Sequence, residues 1–241
     1  MIYSGYYFEP LMKQQCCLIE EFDESLSSGE DFVLHALTNF PEAEQVIVRL
    51  SKLAQRLDGF DDYLYYMQLD RPPNTIPEPA AVTVRAATED DRPFVVSLLS
   101  EAFNDGLKMR STSPPAGVAR RQAEQVLDLP ESVSLIAEDE HVPFGHVTML
   151  VDQDDVVSQS TFTELLDMLV DRTHPHRREA EGLLVAAAQK YAAQLETSLV
   201  GHIVVRENGV GYEAQILGKL EDQGWTFTHK YMIRSVRGSG R

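Results

Sequence analysis

Between residues 43 and 57 the apolar positions Val46, Ile47, Leu50, Leu53, Ala54 and Leu57 recur at steps of three and four, which predicts an amphipathic helix. Asp58-Gly59 would end it, since glycine is favoured just past a helix end. Residues 14–26 carry apolar positions at mixed helical spacing and also read as helical. Tyr63, Leu64, Tyr65, Tyr66 and Met67 then predict a strand. Four prolines, Pro72, Pro73, Pro77 and Pro79, follow within a few positions, and such a run can neither continue a helix nor sit in a central strand. It reads as a stiff linker, which divides the chain into an N-terminal part, 1–80, and a larger domain, 81–241.

Beyond the linker the pattern changes. Residues 81–87 alternate as a strand does, and Thr88 with Glu89, Asp90 and Asp91 has the composition of a helix start. Helices are predicted over 92–103 and 118–127, then strands over 132–137 and 143–151 with a hairpin turn at Glu138, Asp139 and Glu140. Residues 152–159 read as an acidic loop and 165–170 as a strand. A helix over 180–195, a strand over 199–205, a helix over 213–222 and a strand over 226–236 complete the chain. Strand, two helices, three strands, helix, strand, helix, strand is a mixed α/β (α+β) layout, with helices on both faces of one sheet.

Composition is that of a globular chain, with 43% hydrophobic and 24% charged residues. No apolar run approaches the ~20 residues that span a membrane. The N-terminus lacks the basic start and apolar stretch of a signal peptide, so a soluble cytoplasmic protein is expected. The net charge of −17, from 38 acids and 21 bases, argues against nucleic acid and against an anionic membrane surface as partners. Cys16 and Cys17 are adjacent, give no disulfide framework and read as small buried hydrophobes.

Two motifs carry a family resemblance. The first is Arg177-Arg178-Glu179-Ala180-Glu181-Gly182-Leu183 at the start of the long helix. The second is the helix over 213–222, then Gly224-Trp225 and a closing strand. In this order they resemble the GNAT superfamily of acyl-CoA-dependent N-acyltransferases, whose pattern Arg/Gln-x-x-Gly-x-Gly/Ala is matched by Arg177, Ala180 and Gly182. The resemblance covers about 82–236 and implies a mostly antiparallel central sheet flanked by helices. It implies acetyl-CoA or another acyl-CoA as co-substrate, a small-molecule amine as acceptor and a possible homodimer. A loop running into a helix N-terminus suits a pyrophosphate on physical grounds, and Arg177 and Arg178 would add charge-assisted bonds. Glu179 and Glu181 put negative charge beside that cradle, and Ala180 stands where the family has its first glycine.

The resemblance also implies that the fourth and fifth strands of the domain splay, with the thioester between them. Backbone around Leu169 and Val170 would then stabilise the oxyanion, and Asn208 would contact the pantetheine arm. Glu164 and Asp167 are the candidate bases. The family's acid, a tyrosine four residues before the glycine, is replaced by Leu220, which leaves Tyr212 as a substitute. His146 and His202 read as hydrogen-bonded sheet histidines, and His174-Pro175-His176 lacks a third ligand for a metal. Acyl transfer to a hydroxyl or from a carrier protein, and a GNAT-shaped binder without turnover, remain open alternatives. Finally, Gly59-Phe60 precedes Tyr66-Met67 by seven residues, as Gly224-Trp225 precedes Tyr231-Met232. The N-terminal part therefore reads as a reduced second copy ending in a helix and a strand.

Overall fold

Alternating burial organises the N-terminal segment. The computed structural model describes residues 2–9, 14–22, 28–69, 81–109, 116–155, 157–205 and 212–236. The first of these regions hold β1 (Ile2–Glu9), β2 (Gln14–Phe22), α1 (Gly29–Asn39), β3 (Gln45–Ser51) and β4 (Asp61–Leu69). Two expectations are corrected. Residues 14–22 and 45–51 are strands, and the helix lies between them. The cause is two-sided burial. Val46, Val48 and Leu50 pack under Phe32 and Ala36 of α1, while Ile47 packs on the other side with Cys16 and Ile233. A strand buried on both faces reads as a nearly continuous apolar run, and its period of two is lost. Leu53, which completed the helical spacing, is 86% exposed in the turn after β3.

The later segment contains β5 (Val82–Ala86), a single 3-10 turn (Glu89–Asp91), α2 (Arg92–Met109), α3 (Val118–Leu127), β6 (Ser132–Asp139) and β7 (Val142–Asp155). It continues with β8 (Ser160–Val170), α4 (Arg177–Gln194), β9 (Ser198–Val204), α5 (Tyr212–Asp222) and β10 (Trp225–Ser235). The order is the expected one. The acidic loop is shorter than expected, because β7 continues to Asp155 and β8 begins at Ser160. The β6–β7 turn is Glu140-His141, both at positive φ, as a tight hairpin demands. Asp91 anchors α2: its carboxylate accepts from the Thr88 N–H at 2.8 Å and pairs with Arg85, which also holds Glu138 on β6. The Arg85 guanidinium pulls the Asp91 pKa well below the usual carboxylate range.

All ten strands form one mostly antiparallel sheet in the order β1-β2-β3-β10-β4-β9-β8-β7-β6-β5. An approximate repeat runs through it. In one half β1 pairs antiparallel with β2, and β2 pairs parallel with β3 across α1. In the other β7 pairs antiparallel with β8, and β8 pairs parallel with β9 across α4. The closing strands are exchanged: β10 lies against β3, and β4 lies against β9. The repeated Gly-aromatic pairs thus introduce two strands, β4 and β10, that run antiparallel at the centre of the sheet.

Each closing strand enters the other half's core. Met67 and Leu69 of β4 join Leu184, Ala188 and Ala192 of α4, whereas Met232 of β10 joins Phe32 and Val48. The other face of β6 and β7 is covered by α2 and α3 through Val95, Val96, Leu99 and Ala123 on Ile136. Truncating Met232 to Ala is expected to cost about 2–5 kcal/mol. Because the strands are exchanged, the loss should appear in the urea midpoint reported by Trp225 fluorescence, as it should for Leu184→Ala in the other core. An unchanged Trp225 transition in Met232→Ala would show that the two halves unfold independently.

Candidate active site

Two parallel strands part at the middle of the sheet. β8 and β9 pair from Phe162–Ser198 to Leu165–Gly201, and the ladder stops there, although β8 runs on to Val170 and β9 to Val204. A bulge accompanies the parting. Thr148 pairs with Asp167 and Met149 with Leu165, so Leu166 is the extra residue on β8. Because of that extra residue, Glu164 and Asp167, three apart, lie on the same face of the sheet.

That face gathers a polar cluster. His202 Nδ1 lies 2.9 Å from Glu164 Oε1. Burial pulls the His202 pKa down, but the bond to Glu164 and the charge of Asp167 outweigh it and the net shift is upward. Burial lifts the Asp167 pKa to about 6, against a smaller effect from the Met168 N–H that bonds its carboxylate. His146 is fully buried beneath the α2–α3 layer, and burial holds its pKa near 4. Its Nδ1 bonds Thr148 Oγ1 at 3.1 Å, and that hydroxyl bonds Ser134. His146 Nε2 and Asp167 Oδ2 have no hydrogen-bond partner and face each other at 4.0 Å.

The end of β8 leads directly into α4. Asp171 caps the intervening turn by accepting from the Thr173 N–H and hydroxyl, and the His174 ring stacks on Phe144. The first bond of the helix from an N–H to the carbonyl four residues back joins Ala180 to His176, and just ahead of it the Arg177 N–H donates to the His174 carbonyl and the His176 N–H to His174 Nδ1. Arg177 and Arg178 are exposed there, with Arg177 Nε 2.7 Å from Glu181 Oε1. Glu179 Oε2 lies 3.3 Å from His176 Nδ1. Ala180 faces the core with no exposure, Leu183 packs beside it, and Gly182 is half-buried. Leu169 pairs with His146 and Val170 with Gly145, where the Val170 methyls leave no room for a side chain at position 145. Leu220 packs against the core. Asn208 and the Tyr212 side chain lie outside the described residues, although the backbone of Tyr212 opens α5.

A cleft of about 1310 Å³ opens beside this cluster, lined by Glu20, Arg49, Tyr66, Phe162, His229 and Tyr231 among others. A bulge at 151–152, with Asp152 at positive φ, bends the β7–β8 hairpin over it. The bend brings Asp155 into a two-pronged pair with Arg49 at 2.6 and 2.9 Å. Tyr66 joins cleft to cluster, with its ring stacked on His229 at 4.7 Å and 5.7 Å from His202. The aromatic run around Tyr66 is visible in the sequence. Arg49 and Glu20 were missed because their strands read as helical.

Solved structures share this architecture. An acetyltransferase of the GNAT family from Colwellia psychrerythraea is similar with a TM-score of 0.53 at 15% identity, over 93% of this chain and 81% of that one. A GCN5-related N-acetyltransferase from Sphaerobacter thermophilus gives 0.51 at 14% identity, over 98% and 77%. The chain has a GNAT fold. A conserved protein of unknown function from Staphylococcus epidermidis is similar across 96% of this chain and 90% of its own, with a TM-score of 0.53 at 11% identity. The GNAT likeness therefore extends through the N-terminal segment. No protein-family model and no curated protein matches the sequence. Among the described residues of this GNAT fold, no helix is long and apolar enough to cross a membrane.

The Asp167 environment has a measurable consequence. A carboxyl whose folded pKa is raised binds more protons when folded, so its contribution to stability is present below the unfolded value near 3.8 and is lost as pH rises through about 6. Asp167→Asn should therefore stabilise the fold at pH 7 relative to wild type and give no gain at pH 3.5. Urea unfolding at the two pH values checks this, and an equal effect at both would show that Asp167 titrates normally.

Proposed function

We propose that the protein transfers an acyl group, acetyl in the simplest case, from acyl-CoA to the amine of a small molecule by direct attack in a ternary complex. The observation that carries the reading is the parting of β8 from β9 beside the Glu164–His202 pair, with one turn, 171–176, leading from the end of β8 into α4. A thioester lying between the parted strands would find main-chain donors around Leu169 and Val170. Donors aimed at the site of developing negative charge are a large source of catalysis. The exposed guanidiniums of Arg177 and Arg178 and the positive dipole end of α4 suit a diphosphate. Arg177 would exchange its bond to Glu181 for a phosphate oxygen.

The acceptor nitrogen forms a C–N bond to the thioester carbonyl as the C–O π pair moves to oxygen, and collapse breaks the C–S bond. The acceptor ammonium first gives one proton to His202, whose ring Glu164 orients and whose imidazolium it stabilises, and the proton left on nitrogen after attack passes to solvent as the C–S bond breaks. The departing thiol has a reference pKa of about 8.5, so it can leave as the anion without the family's tyrosine. This answers the substitution at Leu220. One observation favours a second reading, an acyl-CoA binder without turnover: the carboxylates of Glu179 and Glu181 flank the α4 terminus. Free-thiol release that depends on an amine separates the two.

Titration calorimetry with acetyl-CoA should detect binding, and Arg177→Ala and Arg178→Ala should each weaken it by roughly tenfold. A wild type that binds no acyl-CoA overturns the reading. Glu164→Gln should lower kcat by about 10²–10⁴-fold. Because Glu164 raises the His202 pKa, the acid limb of the residual rate profile should move to lower pH in that variant. An unmoved limb would remove His202 from the proton path.

A further inference from the structure

The acceptor side of the molecule is more specific than an amine site requires. The cleft runs from Tyr66, against His202, across the sheet to Glu20 on β2. Between β9 and β2 lie β4, β10 and β3, so the path covers four strand spacings, or about 19 Å along the sheet surface. Its floor is a row of rings: Tyr66 stacks on His229, and both meet the edge of Tyr231 at 5.5 Å. Rings packed on one another in this way offer an apolar floor to an extended chain. The roof is the bent β7–β8 hairpin, pinned by Arg49 and Asp155.

Charge divides unevenly along this path. Asp155 engages both terminal nitrogens of Arg49, and although burial pushes its pKa up, the Arg49 bonds and the Val157 N–H hold it well below the usual carboxylate range. The pair is therefore neutral. Glu20 adds a half-buried carboxylate to it, bonded by the Tyr231 hydroxyl at 3.4 Å, so this end of the cleft keeps a net negative charge. Of the remaining charged residues on the wall, Glu21, Glu30, Asp58 and Asp154 are acidic and Arg56 alone is basic. An anionic acceptor is excluded by this field, and a single small amine would leave most of the cleft empty.

We propose that the cleft binds an elongated acceptor with at least two ammonium groups: the reacting amine at Glu164–His202, the linking chain along Tyr66, His229 and Tyr231, and a second ammonium at Glu20. The position of the reacting amine rests on the acyl-transfer reading, but the cleft's preference for such a ligand does not. N-terminal residues thus set the acceptor class, while the second half supplies the reacting carbonyl's surroundings.

Calorimetry on the full chain without acyl-CoA tests this with 1,12-diaminododecane, which is long enough to span the path, n-dodecylamine and 1,3-diaminopropane. The long diamine should bind about tenfold tighter or better than both others, a difference of about 1.4 kcal/mol. Dodecylamine binding as well would show that chain burial suffices, and the short diamine binding as well would show a diffuse acidic field; either overturns the proposal. Glu20→Gln should abolish the advantage of the long diamine, and Glu21→Gln, at the exposed rim, should keep it. Equal losses in the two variants also overturn it. The wild-type comparison decides the matter even if Glu20→Gln does not fold. Acetyl-CoA titrated into the same protein separates the two ideas. Diamine preference without acyl-CoA binding leaves the cleft assigned and removes acyl transfer, and acyl-CoA binding without the preference does the reverse.

Discussion

The geometry of the site follows from a parallel strand pair that stops short. β8 and β9 are joined through α4, as parallel neighbours must be joined by a crossover. Their ladder ends at Leu165–Gly201, and the bulge at Leu166 turns the next carboxylate to the same face as Glu164. Beyond that point the edge of β8 turned toward β9 leaves the ladder, while its other edge stays paired with β7 as far as Val170. Main-chain donors and acceptors in such a place are satisfied by water or by a ligand, because leaving them bare is costly. Parting, bulge and helix start are therefore one feature, and the cluster of Glu164, Asp167, His146 and His202 is placed by it.

Burial does the electrostatic tuning, and it acts differently on each member. His146, under the helices with no charged partner within bonding distance, is held neutral. His202 is also largely buried but lies against a carboxylate, and its shift reverses. Asp167, with one oxygen unpartnered, is pushed toward the neutral range. Two histidines of ordinary chemistry thus shift in opposite directions from position alone. That separation is what a site needs if it is to accept a proton near neutral pH.

How much of this could be read from the sequence depended on burial. In the second segment most elements cover one face and expose the other, so the periods survive and the element order is legible. The stripe Ala180, Leu184, Ala188 and Ala192 is a clear instance. In the first segment β2 and β3 are covered on both sides, and Cys16-Cys17 and Val46-Ile47-Val48 look the same as part of a helix face. The Arg177–Leu183 motif located the start of α4, and Glu164 and Asp167 were placed on the right strand. The bonding of Glu164 to His202 was not legible, since it depends on a parallel register between residues 38 apart in the chain. The bulge was not legible either, and without it Glu164 and Asp167 would point to opposite faces.

The exchanged strands explain why both segments are needed for one site. The proline-rich stretch marks a change in composition, but the hydrogen bonds do not change partners there. β4, which precedes it, is bonded on one side to β10 and on the other to β9. Removing the first segment would expose long edges of β9 and β10, with Leu199 and Trp225 stripped of Met67 and Leu69. It would also take away Tyr66, Arg49 and Glu20, hence the floor and far end of the cleft. An arrangement in which each half closes the other's sheet ties the core to the cleft: the strand that completes the core beside α4 is the strand that carries Tyr66 to His202.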